Sequence, residues 1–237
     1  MKTFYLFILL SFSIHTLKAQ VLKDIINSVT KKSASTDASS GDISDGLKQA
    51  LQVGAERGLQ KLSSVDGYFA DAAVKILMPD EAKKVEQKLR GLGFGGQVDN
   101  AILSMNRAAE DAAKSAAPIF VSAIKQMSIQ DAVGILRGGD FAATNYLKSK
   151  TTAELTNAFR PVIEASLAKV NATKYWNTIF NTYNKFSFNK VNPDLSAYVT
   201  EKSLSGIFYQ LGLEEQKIRK DPAARTTDLL KKVFGTK

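Results

Sequence analysis

Apolar residues along this chain recur at intervals of three, four and seven, and no stretch alternates apolar and polar for more than a few residues. That pattern predicts helices throughout. The most informative stretch runs from Leu195 to Ile218. Leu204, Ile207, Phe208, Leu211 and Ile218 share one side of the wheel, and Leu195, Tyr198, Tyr209 and Leu213 lie roughly opposite, with Gly206 between them. A helix that is apolar on two sides needs cover on both, so this one is expected to pass through the middle of the protein. Beyond it, Asp221 can cap and Pro222 can fill the first position of a further helix.

Ahead of this helix the same reading places several others. Ile43 to Leu62, capped by Asp42, shows Leu47, Leu51, Gly54, Ala55, Gly58 and Leu62 on one face, and the glycine pair admits a close neighbour. Asp66-Gly67 reads as a turn. Pro79-Asp80-Glu81 opens a helix with acids in its first turn, and it ends at about Leu92 among Gly91, Gly93, Gly95 and Gly96. Those glycines are a loop between helices, since no strand precedes them and no Lys-Ser/Thr pair follows. From Val98 to about Ser115, small and apolar residues line one face, and Arg107, Glu110, Asp111 and Lys114 read as a salt-bridged outer face. Asn106 sits at the edge of the apolar stripe.

Ile119 to Met127 follows Pro118, and Ser128 with Asp131 reads as a capping box for a short helix ending at Gly138-Gly139. Asp140 is placed as the cap of Phe141 to Lys148, and Thr151 with Glu154 as a second capping box for a helix to Lys169. Pro161 is expected to kink or split that helix at Arg160. Lys174 to Lys185 carries Trp176, Ile179, Phe180 and Tyr183 on one face. Such a stripe reads as core, with a sugar- or lipid-contacting surface as the other reading. Together these elements predict an all-α fold, a single helical domain of about eight or nine helices around a central C-terminal helix.

The N-terminal segment changes what the composition means. Lys2, the apolar run Phe4–Ile14 and the small Ala19 have the layout of a cleaved secretory signal peptide. The organisation expected is therefore signal peptide 1–19, an amphipathic helix plus flexible linker 20–42, and the helical domain 43–237. In the second of these, Val21, Leu22, Ile25, Ile26 and Val29 keep helical spacing, and the helix either docks on the domain or tethers it. The chain has no cysteine, and its one histidine, His15, lies in the signal segment. An exported chain without His or Cys is not expected to hold a metal, to use a cofactor, or to run His- or Cys-based nucleophilic catalysis. Removing Lys2 and Lys18 takes the formal charge from +9 to +7. The lysines are dispersed in pairs and read as a solvated helical surface with a basic bias. No partner is assigned; an anionic envelope surface or an envelope protein is more natural for an exported chain than nucleic acid. No stretch after the signal segment is apolar enough for a transmembrane span.

Five segments carry a resemblance to a known family. They are Gly46–Leu51, Ser104–Glu110, Pro118–Phe120, Ala172–Tyr175 and, most specifically, Ile218–Gly235. Together the sequence resembles an uncharacterised family of exported, helical bacterial proteins catalogued as a domain of unknown function (DUF 4197). The resemblance implies an exported all-helical domain from about Ile43 onward, and it implies no activity. Such sequences usually have Gly where this chain has Asn171, at what reads as a turn needing left-handed geometry.

Three functions fit these readings. The first is a non-catalytic binding or interaction module of the bacterial envelope. The second is a small-ligand binder or hydrolase built from carboxylates and arginines, with Asn106, Arg107, Asp221, Arg225 and Asp228 as candidate ligand-binding residues. No catalytic, cofactor-binding or metal-ligating residue is assigned. The third is a peripheral membrane-surface protein held by the 20–32 segment.

Overall fold

A computed structural model describes residues 40–186, 190 and 194–221. Among them are eight α-helices: α1 (Ser40–Leu62), α2 (Lys83–Gly91), α3 (Gly95–Ala113), α4 (Ala116–Lys125), α5 (Ile129–Arg137), α6 (Ala142–Lys169), α7 (Ala172–Phe186) and α8 (Leu195–Lys220). A single 3-10 turn, Asp80–Ala82, leads into α2, and no strand occurs among the described residues. The fold is all-α, a single helical domain.

The expected central helix is α8, which packs against α1, α3, α6 and α7. Leu204, Ile207, Phe208, Leu211 and Ile218 are buried as the pattern requires, and so is Leu195 on the other side. Tyr209 corrects that pattern, because 47% of it is exposed. The buried arc is completed instead by Ser196, Thr200, Ser203, Gln210 and Glu214, which hydrophobic periodicity cannot find. Two of the hydroxyls return to the helix: Thr200 donates to the Ser196 carbonyl at 2.7 Å and Ser203 to that of Val199 at 2.6 Å. Gln210 accepts from Lys61 Nζ at 3.1 Å, and Glu214 pairs with Lys217 at 2.6 Å. No buried side-chain polar atom among the described residues lacks a partner.

Helix α1 runs antiparallel along α8. Its Gly58 has Gln210 Cγ 3.3 Å from where a Cβ would stand, so the glycine face does admit a close neighbour. The helix begins by Ser40, which puts Asp42 inside it rather than at its cap. After Leu62, Asp66 adopts φ 66°, and a Cβ on Gly67 would stand 2.3 Å from the Lys61 carbonyl oxygen; the turn there is built as the sequence predicts. Asn171 likewise takes a left-handed φ of 55° between α6 and α7.

Three further expectations are corrected. Helix α3 starts at Gly95, three residues earlier than Val98. Glu110 is not on an outer face but buried, where it accepts from the Tyr68 and Phe69 N–H groups while pairing with Arg107. The two helices expected between Asp140 and Lys169 are one, α6, uninterrupted by Pro161. Asp140 pairs with Lys220 at 2.8 Å, and the Thr151 hydroxyl donates to Leu147 O at 2.7 Å, the bond a threonine makes inside a helix. Burial of Leu147, Leu155, Phe159, Ile163 and Leu167 along one face outweighs the roughly 3 kcal/mol cost of an interior proline. The Ser128–Asp131 capping box forms as read, with both of its reciprocal bonds.

Candidate functional site

A cleft of about 650 Å³ lies between α2, α3 and α7. Val85 and Leu89 of α2 form one wall, and Val98, Ala101 and Met105 of α3 a second. Trp176 and Phe180 of α7 form the third, and Met78 and Leu195 also line it. The aromatic wall is a cluster of rings in contact: the Trp176 and Phe180 rings lie 4.3 Å apart, Tyr198 of α8 stacks on Trp176 at 6.3 Å, and Tyr183 meets Phe180 edge-on at 6.4 Å. Trp176 is the single tryptophan of the chain.

The local sequence explains why the cleft stays open. Helix α2 is short and strongly charged, and it buries no residue; Val85 and Leu89 are only partly covered. It therefore roofs the space without filling it. Among the polar residues at the lining, Glu86 and Ser104 are already engaged, and Gln97 and Asn100 add two amide side chains. Glu86 pairs with Arg90 at 2.9 Å, Arg90 also holds Asp99 at 2.8 Å, and the Ser104 hydroxyl donates to Asn100 O at 2.7 Å. What faces the space is mostly apolar, and its volume falls within the range of small-molecule sites.

A second groove of about 760 Å³ lies beside residues 73–83 and α8, but its chemistry is mixed. Lys75, Lys83, Lys190 and Lys202 face Asp80, Glu81 and Glu201 there, and Lys83 already pairs with Asp80 at 2.8 Å. The Tyr198 hydroxyl in this groove is pushed up to about 12, by burial first and then by the charges of Asp80, Glu81 and Glu201, and it donates to Leu77 O. Such a group does not ionise near neutrality.

The residues singled out from sequence lie elsewhere. Asn106 is fully buried and bonds the main chain: Oδ1 accepts from Ile76 N–H, and Nδ2 donates to the Ile76 and Ile102 carbonyls, each at 2.8 Å. Arg107 bridges Glu110 at 2.6 Å and Asp66 at 2.7 Å. Asp221 is exposed at the C-terminal cap of α8, where its N–H donates to Lys217 O. Tyr68 and Val74, close to Ile76 in the chain, pack on Gly206. The fifteen residues from there to Asp221 rise about 22 Å, so α8 separates Asp221 from Asn106. Arg225 and Asp228 lie outside the described residues, as do the signal segment and the 20–32 segment. Among the described residues no group of three His, Cys, Asp or Glu side chains could hold a metal ion.

The cleft itself was half visible in the sequence. The stripe of Trp176, Ile179, Phe180 and Tyr183 reads as core, with a sugar- or lipid-contacting surface as the other reading. The missed signal is Leu92-Gly93-Phe94, two large apolar residues in a glycine-rich turn.

The profile of one family matches residues 37–235, which spans every described element. The chain belongs to that family, described as protein of unknown function (DUF4197). No curated protein matches the chain. No solved structure matches it. No single described helix is long and apolar enough to cross a membrane. The bent pair α4–α5 passes on composition when its two helices are taken together, but Phe120, Ile124, Ala132 and Ile135 from both lie in the core.

Proposed function

We propose that this protein is an exported, non-catalytic binding module of the bacterial envelope, and that it holds an apolar molecule in the α2–α3–α7 cleft. The observation that carries this reading is the cleft itself. It is concave and walled mostly by aromatic and aliphatic side chains, with Glu86 paired to Arg90 and only Gln97, Asn100 and Ser104 as further polar residues at its lining. Such a space offers little to a charged or sugar-like ligand and much to an apolar one, since each buried CH₂ contributes roughly 0.8 kcal/mol. Export is supported by Lys2, the apolar run Phe4–Ile14 and Ala19.

Trp176 makes the reading testable without a label. Dibrominated stearate, kept below its micelle concentration, should quench Trp176 saturably at one equivalent. Ala101→Phe, which fills the cleft, should abolish that quenching while the melting temperature stays near that of the parent. Quenching that does not saturate, or that survives Ala101→Phe in a folded protein, would count against the cleft as the site.

A further inference from the structure

The mouth of the cleft gathers large apolar side chains that the fold leaves uncovered. Phe94 and Val170 line the cleft, yet 47% and 52% of them are exposed. Leu92, two residues before Phe94 in the α2–α3 turn, is 73% exposed. The turn stands clear of the domain: at Gly91, Gly93 and Gly96 nothing lies within 4 Å of where a Cβ would be. Apolar residues clustered on a projecting turn, beside an apolar cleft, mark an interaction surface more strongly than scattered exposed ones do.

Next to it, Lys83 is paired with Asp80 and Arg90 with Glu86 and Asp99, which leaves Lys84 and Lys88 as the uncompensated cations of α2. Helix α2 carries Lys83, Lys84, Lys88 and Arg90 against the single acid Glu86. Lys84, Lys88 and Leu92 recur at intervals of four, so two cations rise along the flank of α2 that ends in the exposed leucine. Both lysines are exposed, and neither belongs to an ion pair among the described residues. An apolar tip with lysines set back from it matches the depth profile of a phospholipid surface, with acyl chains beyond a layer of phosphates.

We infer that this mouth docks on an anionic phospholipid surface and that the apolar ligand of the cleft is an acyl chain drawn from it. The inference rests on the reading of the cleft as an apolar-ligand site. Ser40 and Asp221 both lie away from this mouth. Helix α8 is about 39 Å long, and the cleft lies at its Leu195 end. Asp221 follows its other end, and α1 runs so that Gly54 packs on Ile218, which carries Ser40 to that other end as well.

The experiment uses the full chain and vesicles of brominated phosphatidylglycerol or brominated phosphatidylcholine, and it reads quenching of Trp176. A chain held only through another segment would leave Trp176 unquenched. The expected result is quenching by phosphatidylglycerol vesicles that weakens with added salt and is much smaller with phosphatidylcholine. Leu92→Asp with Phe94→Asp should abolish it. Lys84→Gln with Lys88→Gln should cut the partition onto phosphatidylglycerol by about tenfold or more. All four positions are exposed, and melting curves confirm that each variant is folded. No quenching by phosphatidylglycerol vesicles would overturn the inference, and so would quenching that the Leu92/Phe94 variant retains. Soluble dibrominated stearate separates the two readings. If it still quenches Trp176, the cleft keeps its ligand and only the docking falls; if neither probe quenches, both fall.

Discussion

Glu215 and Arg219, one turn apart on α8, together tie the end of α5 to the start of α6. The Glu215 carboxylate accepts from the N–H groups of Ala143 and Thr144 at 3.0 and 2.8 Å and from the Thr144 hydroxyl at 2.8 Å. Arg219 donates to the Ile135 and Leu136 carbonyls at 2.8 and 3.4 Å and closes on Glu215 at 2.8 Å. An anion thus meets the positive end of α6 and a cation the negative end of α5, each where the helix leaves backbone groups unpaired. The Gly138-Gly139 corner is fixed by side chains that come from a distant helix.

That arrangement predicts a strong and coupled loss of stability. Glu215→Ala would take the carboxylate from a nearly buried guanidinium and leave two helix N–H groups without their acceptor, at a cost of about 3–5 kcal/mol. Arg219→Ala should cost somewhat less, because Arg219 keeps more contact with solvent. The double variant should be less destabilised than the sum of the two by about 1–3 kcal/mol. Urea denaturation of the four proteins measures this; additive effects would mean that the two residues act separately.

Two glycines that look alike in the sequence should respond in opposite ways. A Cβ at Gly206 would stand 2.7 Å from Tyr68 Cε1 and 3.3 Å from Val74 Cβ. Tyr68 has no room to retreat, being fully buried with its hydroxyl donating to Ser203 O at 2.7 Å. Gly206→Ala should therefore destabilise by about 1–3 kcal/mol. At Gly54 the nearest atoms would be 3.6 and 3.7 Å away, ordinary contact distances. There an alanine gains helix propensity, and Gly54→Ala should be neutral or stabilising by up to about 1 kcal/mol. Thermal melts decide both signs.

The contrast between these glycines shows what the sequence made legible. Periodicity found the helices, and it found α8 as the central one, because burying apolar side chains leaves a repeating trace. It did not find the buried polar arc of α8, since Ser203 or Gln210 looks the same in sequence whether exposed or bonded inside. Capping patterns were ambiguous for a related reason. Ser128 and Thr151 both precede an acid at the right spacing, but only Ser128 lies where a chain reversal leaves N–H groups free. In the sequence Glu110 looks like a surface partner of Arg107 because its other partners, the Tyr68 and Phe69 N–H groups, are 42 and 41 residues away in the chain. The cleft escaped because it exists by omission: α2 is too short and too charged to close over the aromatic wall of α7.

Asn106 gives a prediction that separates a structural role from a ligand-binding one. Its amide holds both backbone groups of Ile76, in a segment without regular secondary structure. Asn106→Leu fills much of the same volume but leaves that N–H and carbonyl unpaired in the core. A loss of about 2–4 kcal/mol is expected, with faster hydrogen exchange at the Ile76 amide. Unchanged stability would return Asn106 to the list of ligand-binding candidates.

Acid sensitivity should centre on the start of α8. Burial works against the charged form of Asp194, but the Ala197 N–H at 2.9 Å and the Arg160 guanidinium at 2.7 Å more than offset it, and the carboxyl is held below the usual carboxylate range. A carboxyl whose pKa is lower in the folded state binds fewer protons there than in the unfolded chain, so stability rises with pH across that window. Its contribution is fully present above about 3.9, the unfolded value, and is lost as pH falls through the folded one. Asp71, held down by Lys61, and Asp131, held down by Ser128, add to the same limb. Unfolding followed by Trp176 fluorescence should give a flat stability from pH 7 to about 5 and a decline below about 4. Asp194→Asn should lower the plateau and reduce the slope of the acid limb, since one of the carboxylates that generates it is gone. An acid limb of unchanged slope in that variant would show that the α8 cap contributes nothing to the pH dependence and that the decline arises at the other carboxylates.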